Sequence, residues 1–364
     1  MSKILKVVIT GGPCAGKTSA LEKVKNYYEN KNIKVFVINE TATELINQGI
    51  TPWNQEGSLK FQTTRLKLQL QKENEIDEKI NTLKNENVLV IYDRGLLDTL
   101  AYVSKNEFNE LLTQFNLNII DARDKYDAVL HLLTTAKDKQ EFYTLENNKA
   151  RIETIEEASI LDDKVISAWC GHPHFRIINS YDTFNEKVNT LINEIDSLLD
   201  TSNTLEIERK YLIKYPNIHF LNNYAFCEKV EISQSYLTLP NNEKIRIRKR
   251  GLNNNYIYFK TIKKNINNIK RIEIENRLTE QEYLSYLNES IETCTITKDR
   301  YCIMYKNQYF ELDVYPFWDN QAVIEIELND ENQKIIFPDF IDFIKEITLD
   351  KDYTNHSLAK KYNL

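Results

Sequence analysis

Residues 9–19 read Ile-Thr-Gly-Gly-Pro-Cys-Ala-Gly-Lys-Thr-Ser and follow the apolar run 5–9. Gly11, Gly16, Lys17 and Thr18 stand at the spacing GxxxxGK[ST]. This is the P-loop pattern, in which backbone N–H groups turn toward a phosphate chain. The lysine reaches the outer phosphates, and the threonine hydroxyl is a ligand for Mg²⁺. A helix that starts at the lysine adds its positive end. The pattern predicts phosphate binding by Gly11, Gly12, Gly16, Lys17, Thr18 and Ser19.

The P-loop pattern needs a strand before it and a helix after it, and the flanking residues predict both. Two more apolar strands, 34–39 and 88–92, deliver Glu40 and the pair Asp93 and Arg94 to their carboxyl ends. Alternating strands and helices indicate an α/β domain with a parallel sheet and helices on both faces, which binds ligands at its carboxyl edge. We therefore expect these three side chains to converge on the phosphate site and to act with Lys17.

Each acidic candidate has a second interpretation. Asp93 closes an apolar strand, as does the carboxylate that holds the metal ion of P-loop enzymes, but it could instead cap a helix at 96–102. Glu40 could instead be the first-turn acid of a helix that starts at Thr41. Arg151 lies in the charged segment 136–153, which we expect to close over the phosphates and stabilise the transition state; the alternative is a surface salt bridge.

Length and charge restrict the remaining possibilities. A chain of 364 residues predicts two domains, and the composition changes at a short polar linker, so we place a P-loop domain at 1–200 and a second domain at 204–364. The net charge of −7 argues against a general nucleic-acid or anionic-membrane binder. The five cysteines form no CxxC pair, and no signal peptide or membrane-spanning stretch is recognisable, which predicts a cytoplasmic protein.

One further helix is predicted in the first domain, over residues 61–80. It is charged and amphipathic, and we expect its polar side to be solvated. Its candidate buried positions are Leu66, Leu68, Leu70 and Ile76.

The second half begins with charged residues at strand spacing. Glu206, Glu208 and Lys210 share one face of a strand, and later segments repeat charges at spacing two with apolar residues between. An antiparallel sheet with one solvated face would also alternate. Clusters of one sign favour a sheet closed into a barrel, with the charges inside and helices at 280–287, 340–345 and 355–361 outside. The repeated charges include Arg246, Arg248 and Arg250, Lys298 and Arg300, Glu311 and Asp313, and Glu325 and Glu327.

A lumen of this composition suits a polyphosphate with a divalent cation. Basic side chains bind phosphate oxygens, and paired carboxylates hold Mg²⁺ or Mn²⁺. We therefore predict a second, polyphosphate-bearing small-molecule ligand for this half of the chain.

The first half resembles the P-loop domain of ribosylnicotinamide-kinase-type and related AAA ATPases. The resemblance rests on ITGGPCAGKTS, Glu40, IYDRGLLDTLAY and RIETIEEASILDDKVISAWCGHP, and it covers most of residues 5–198. It implies that Glu40, Asp93 and Arg94 lie at the phosphate acceptor.

The second half resembles the CYTH, or triphosphate tunnel metalloenzyme, superfamily through the ExExK motif, the pair Arg246 and Arg248, the late acidic pair and the C-terminal segment EITLDKDYTNHSLA. The resemblance implies an α+β domain built on an antiparallel β-barrel tunnel, in which a water activated by metal and carboxylate attacks the terminal phosphorus. The implied metal ligands are Glu206, Glu208, Glu325 and Glu327. The implied triphosphate ligands are Lys210, Arg246, Arg248, Lys260, Lys298 and Arg300.

The leading functional hypothesis is therefore a Mg²⁺-dependent ATP- or GTP-binding NTPase whose tunnel domain binds or hydrolyses a second polyphosphate ligand. One alternative is a kinase that phosphorylates a nucleoside-like small molecule. Another is a non-catalytic regulatory protein that binds GTP and a phosphoinositide, which leaves peripheral contact with a phosphorylated lipid open. No NKxD-type guanine signature is present, so the sequence does not choose between ATP and GTP.

Overall fold

A computed structural model describes residues 3–53, 57–83, 86–138, 154–199, 207–265, 271–328 and 332–362. The chain divides into two compact units, Met1–Leu199 and Asp200–Leu364. Each unit has its own sheet, parallel in the first and antiparallel in the second.

The sheet of the first unit has the order β2-β3-β1-β4-β5, and its pairs are parallel. The sequence forms these strands because short runs of Val, Ile and Leu are bounded by polar or glycine residues. All three central strands are almost fully buried, which requires helices on both faces. The strands are β1 (Ile4–Thr10), β2 (Lys34–Ile38), β3 (Val88–Asp93), β4 (Ala128–Leu132) and β5 (Phe175–Ile178).

Eight helices and a 3₁₀ helix, Leu96–Ala101, occupy the described part of this unit. Several begin with capping boxes, for example Ser104 with Glu107 and Thr154 with Glu157, which satisfy the first free N–H groups. The helices are α1 (Lys17–Glu29), α2 (Thr41–Asn47), α3 (Gly57–Thr82), α4 (Lys105–Gln114), α5 (Ile119–Asp124), α6 (Thr135–Asp138), α7 (Ile155–Trp169) and α8 (Phe184–Leu199).

Helix α3 differs from its sequence prediction. Leu66 is buried, but Leu68, Leu70 and Ile76 are only half-buried. The polar side, predicted to be solvated, instead contains four buried residues that follow helical spacing. This stripe consists of Gln62, Arg65, Gln69 and Glu73.

The second unit contains a nine-stranded sheet with the order β10-β9-β8-β7-β11-β12-β13-β6-β14, in which neighbouring strands are antiparallel. Alternation of apolar and charged residues gives each strand one apolar and one charged face. The strands are β6 (Ile207–Lys214), β7 (Cys227–Thr238), β8 (Lys244–Leu252), β9 (Asn255–Asn265), β10 (Arg271–Leu278), β11 (Glu292–Tyr305), β12 (Gln308–Val314), β13 (Gln321–Leu328) and β14 (Phe343–Glu346).

The helices at 218–223 and 280–289 pack against the apolar face, where Tyr283 joins a core cluster with Ile245 and Ile247. The helix at 355–362, predicted to lie outside, instead packs on the charged face, because its Leu358 clusters with Leu212, which follows Lys210 on that face of the strand. The prediction of a helix at 340–345 is wrong, because residues 343–346 form strand β14. Pairing of this strand with β6 satisfies its backbone groups and overrides the helical pattern. The helices are α9 (Ile218–Asn223), α10 (Glu280–Glu289) and α11 (Asn355–Tyr362), and Lys351–Tyr353 forms a 3₁₀ turn.

Within the described ranges, every helix is too short or too polar to cross a lipid bilayer.

Candidate phosphate sites

The P-loop between β1 and α1 has the backbone that its glycines permit. Gly11 and Gly16 have φ values of 146° and 82°. A Cβ on Gly11 would lie 2.3 Å from the carbonyl oxygen of Leu132, so only glycine fits there. Lys17 is buried, and its Nζ donates to the carbonyl oxygens of Gly11 at 2.9 Å and of Gly12 at 3.1 Å. Thr18 and Ser19 lie exposed in the first turn of α1.

Three side chains donate to P-loop carbonyls from outside the loop. Thr134 Oγ1 donates to Pro13 O, and Thr135 Oγ1 donates to Cys14 O at 3.3 Å. Lys187 Nζ, on α8, donates to Ala15 O at 3.1 Å and to Leu133 O at 2.6 Å. The sequence analysis assigned no role to these donors. The signal that could have found the threonines is their place immediately after the largely apolar run of residues 128–133.

Asp162 on α7 is a second contact that the sequence analysis missed. Its Oδ1 accepts from the Gly12 N–H at 2.7 Å and lies 2.9 Å from His131 Nε2, and its Oδ2 lies 2.9 Å from Lys137 Nζ. Burial raises the pKa of Asp162, but the charge and hydrogen bonds of its partners outweigh burial and hold that pKa well below its usual range. The carboxylate therefore anchors the first turn of the P-loop to α7.

Glu40 and Arg94 meet at the carboxyl edge of the sheet. Arg94 Nε donates to Glu40 Oε1 at 2.5 Å, and Thr43 Oγ1 donates to Glu40 Oε2 at 2.7 Å. Glu40 is the N-cap residue of α2, but its side chain makes no capping hydrogen bond. Burial raises its pKa, yet the cations of Arg94 and Lys17 lower that pKa to about 2. Its carboxylate is therefore charged and paired with the arginine.

Asp93 lies beside this pair, and its charge interacts with both members. Its buried Oδ1 finds no donor among the described residues, and it does not cap the 3₁₀ helix, whose N-cap residue is Gly95. Burial and the charge of Glu40 raise the pKa of Asp93 to about 6. An orphaned carboxylate oxygen next to a P-loop fits a Mg²⁺ ion or a water bound to one.

Asp98 connects the P-loop strand to Arg94. Fully buried, it accepts from Gly95 N at 2.9 Å, Arg94 Nη1 at 3.2 Å and Trp169 Nε1 at 3.1 Å, and also from Thr10 Oγ1. It therefore fixes the turn in which Arg94 adopts a φ of 71°, a conformation that costs a non-glycine residue energy.

The buried polar stripe on α3 supports the same turn. Gln69 Nε2 donates to the carbonyl oxygen of Arg94 at 3.1 Å, and Arg65 donates to Gln62 at 2.9 Å and to Thr99. Buried polar groups persist only when they are hydrogen-bonded, so these partners explain why the stripe faces inward.

In the second unit, predicted site residues from four strands share the charged face of the sheet. Lys210 Nζ lies 2.9 Å from Glu208 Oε1 and 2.8 Å from Glu325 Oε1. Burial raises the pKa of Glu325, but Lys210, Lys298 and Arg300 lower it to about 2. Glu208, by contrast, has a raised pKa because of burial and the neighbouring Glu325 charge.

Arg300 is held by three carboxylates. It makes two bonds of 2.7 Å to Asp313, lies 3.2 Å from Glu325 Oε2, and also pairs with Glu311. Lys298 Nζ donates to the same Asp313. Although Glu311 and Asp313 were not among the predicted site residues, their alternation on β12 had already marked them as charged-face residues.

A more basic group lies farther along the same face. Arg246, Arg248 and Arg250 follow one another on β8, and Glu275 on β10 pairs with Arg248 at 3.0 Å and lies 3.7 Å from Arg246. The buried Nε of Arg248 has no hydrogen-bond partner in the described part of the chain. An anion could use this donor.

Lys260 does not join this group, contrary to the prediction. Its register partner on β8 is Ile247, so Lys260 points to the apolar face. Its Nζ donates to the Tyr286 hydroxyl of α10 at 2.8 Å and lies 4.5 Å from the centre of that ring.

The predicted metal ligands are only partly described. Glu206 and, in the first unit, Arg151 lie outside the described residues. Glu327 is exposed and pairs in register with Glu208. No group of three or more His, Cys, Asp or Glu side chains among the described residues has the arrangement of a metal site. The hard carboxylate oxygens of Glu208 and Glu325 nevertheless suit Mg²⁺ or Mn²⁺.

Comparison with known proteins identifies both units. Residues 6–187 match the family model of the AAA domain, and residues 204–354 match that of the CYTH domain. No curated protein matches the chain.

Three solved structures are similar to part of the chain. The hypothetical protein NE1496 has 28% identity over 42% of this chain and 96% of its own, with a TM-score of 0.30. The inorganic triphosphatase NE1496 has 27% identity over 42% of this chain and 97% of its own, with a TM-score of 0.30. The PH1819 protein from Pyrococcus horikoshii OT3 has 20% identity over 34% of this chain and 80% of its own, with a TM-score of 0.24.

The predicted fold classes are confirmed: a P-loop α/β unit is followed by an antiparallel sheet consistent with a CYTH tunnel domain. Both domains point to a function that involves nucleotides or triphosphates. The chain belongs to the AAA domain family through residues 6–187 and carries a CYTH domain at residues 204–354.

Proposed function

We propose that the chain is a divalent-metal-dependent P-loop NTPase joined to a tunnel domain that hydrolyses a triphosphate or a polyphosphate-bearing small molecule. The observation that carries the first part is the convergence of Lys17, Asp93 and the Glu40–Arg94 pair at one sheet edge. A cation, an unsatisfied carboxylate and an arginine at a P-loop are the groups that phosphoryl transfer requires.

Each residue has a distinct role in this proposal. Lys17 and the loop amides bind the phosphates, and Arg94 supplies positive charge held in place by Glu40 and Asp98. Thr18 and Asp93 would hold Mg²⁺, directly or through water, and a bound Mg²⁺ would neutralise phosphate charge. ATP and GTP are both candidates, because the sequence contains no NKxD-type guanine signature.

The charged face of the second unit supports the tunnel part. Lys210, Arg248 and Lys298 carry the cations that would bind phosphate oxygens. Glu208 and Glu325, together with Glu206 and Glu327, would hold the divalent cation. The present ion pairs balance these charges within the protein, and we propose that a metal-bound triphosphate replaces those pairs.

A panel of substrates tests both sites. Hydrolysis of ATP, GTP, inorganic triphosphate and thiamine triphosphate is measured with Mg²⁺ or Mn²⁺ in the wild type, in Lys17→Ala and in Glu206→Ala/Glu208→Ala. We expect the first variant to lose nucleotide hydrolysis and the second to lose hydrolysis of its triphosphate substrate. The proposal fails if neither variant changes any activity in the panel.

A kinase is the second candidate, and the Glu40–Arg94 pair favours it. Glu40 makes no capping hydrogen bond, and its carboxylate instead holds Arg94 at the carboxyl edge of the sheet, where the resemblance to kinases puts the phosphate acceptor. ATP consumption that rises only when a nucleoside-like acceptor is added would support a kinase. Steady hydrolysis without an acceptor would support the NTPase.

The third reading, a regulatory binding protein, makes a different prediction. If it is right, the wild type has no measurable triphosphatase activity, and Glu208→Ala abolishes binding of a phosphorylated ligand.

A further inference from the structure

The strand register of the first sheet continues into the P-loop. Thr134 bonds Pro13 and Thr135 bonds Cys14, and both contacts join residues 121 positions apart. The same offset relates Thr10 to His131 where β1 pairs with β4. The two threonines at the end of β4 therefore lie beside two successive peptide groups of the loop because the parallel strands set them there.

A third donor completes the series. Lys187 is almost fully buried, with 5% of its surface exposed, and its ammonium group bonds the next carbonyl, Ala15 O, together with Leu133 O. Three consecutive carbonyls, those of Pro13, Cys14 and Ala15, are thus held from outside the loop.

Fixing these carbonyls also fixes the amides that follow them. In a planar trans peptide the N–H points away from the C=O, so a carbonyl held on one side turns the next N–H to the other. The affected N–H groups belong to Cys14, Ala15 and Gly16. These are the central amides of the phosphate-binding loop.

We propose that Thr134, Thr135 and Lys187 are positioning residues that orient the P-loop amides toward the phosphates before the nucleotide binds. This inference rests on the proposed nucleotide function. Preorganised dipoles need no rearrangement when phosphate arrives, and the buried charge of Lys187 adds positive potential behind the loop. None of the three side chains needs to touch the ligand.

Isosteric variants of the threonines test this role. Thr134→Val and Thr135→Val keep the side-chain volume but remove the hydroxyl, whereas Thr134→Ser and Thr135→Ser retain it. Binding of fluorescent mant-ADP and mant-GDP is titrated in the full-length protein. Lys17→Ala defines the background, and only the fluorescence change that this variant abolishes is assigned to the P-loop. We expect each valine variant to raise Kd by about 3- to 10-fold and each serine variant to restore Kd to within about twofold.

Lys187→Met tests the charged donor, for which we expect a rise in Kd of about tenfold or more. Leu191→Ala, a core change on the same helix, is the matched control: it lowers the melting temperature but leaves Kd unchanged within about twofold. If Lys187→Met does not fold, the threonine pairs still decide the question.

The outcomes separate two kinds of failure. A wild type that binds neither nucleotide would overturn the proposed nucleotide site together with this inference. A wild type that binds, with valine variants that bind as tightly as their serine partners, would overturn the inference alone. The inference is also overturned if the valine variants raise Kd no more than Leu191→Ala does.

Discussion

Arg94 Nε lies 2.5 Å from Glu40 Oε1, and the two residues follow neighbouring strands, β3 and β2. Arg94 is buried and Glu40 is half-buried: the side chain of Arg94 is 9% exposed and that of Glu40 25% exposed. Arg94 holds this position although its φ is 71°. Contacts to Asp98 and to Gln69 offset that strain, so the arginine is fixed before any ligand arrives.

Glu40→Gln should therefore destabilise the first unit. At pH 7 the low pKa of Glu40 corresponds to about 3 kcal/mol of stability, which is present above its ordinary pKa of 4.5 and is lost as pH falls through about 2. Glu44→Gln is the control: Glu44 pairs with Lys72 and is more exposed than Glu40, so we expect a loss below about 1 kcal/mol. Denaturant unfolding, followed by the emission of Trp53 and Trp169 of the first unit in a Trp318→Phe background, measures both losses. Equal losses of unfolding free energy in the two variants would contradict a special contribution of the Glu40–Arg94 pair to stability.

Asp93→Asn should have the opposite effect. Because the pKa of Asp93 is about 6 in the folded state, the protonated carboxyl makes its whole contribution to the free energy of unfolding below pH 3.8. That contribution is lost as pH rises through 6. At pH 7 to 8 the charged carboxylate therefore costs roughly 2 to 3 kcal/mol, which the asparagine removes. We expect the variant to be more stable than the wild type at pH 8, to match it near pH 4, and to lose Mg²⁺-dependent activity. A stability difference that does not change with pH would refute this assignment.

Lys17 links nucleotide binding to proton uptake. Burial and the Arg94 charge lower the pKa of Lys17 to about 8 in the free protein, and a bound phosphate chain should raise that pKa again. Binding must then take up a proton above pH 8, so the affinity for mant-ADP should fall with rising pH by up to about tenfold per unit between pH 8 and 9.5. Lys17→Arg, whose guanidinium stays charged, should show a flat profile. A flat wild-type profile would contradict the linkage.

The sequence was sufficient to predict the groups that lie at strand ends. Parallel strands bring their carboxyl ends to one edge, so Glu40 and Arg94 could be placed together without knowledge of any side-chain contact. Their partners were not predictable in this way. Thr134 and Thr135 reach the P-loop only because β4 pairs with β1 in one particular register. Lys187 lies on α8, and no sequence motif indicates that this helix contacts the P-loop.

The buried stripe on α3 escaped prediction for a related reason. A polar helix face is normally solvated, and Gln69 and Glu73 are buried only because Arg94, Lys125 and Tyr126 supply hydrogen bonds from other elements. Alternation on a single strand was more informative. It placed Glu208 with Lys210, and Arg246 with Arg248, correctly on one face. It could not predict which residues of β9 share the face of Arg246 and Arg248, because that depends on the register of the hairpin between β8 and β9.

That hairpin gives the last prediction, a comparison of Arg248→Met with Lys260→Met. Arg248 lies on the charged face with a buried Nε that lacks a partner among the described residues, whereas Lys260 contacts Tyr286 of α10 on the apolar face. In a Lys17→Ala background, where only the tunnel binds, we expect Arg248→Met to raise the Kd for inorganic triphosphate about tenfold or more. Lys260→Met should leave that Kd within about twofold and lower stability by about 1 kcal/mol, because it loses one hydrogen bond and one cation–π contact. Calorimetric titration and thermal unfolding measure the two effects. A Lys260→Met variant that binds triphosphate as weakly as Arg248→Met would show that Lys260 faces the ligand after all.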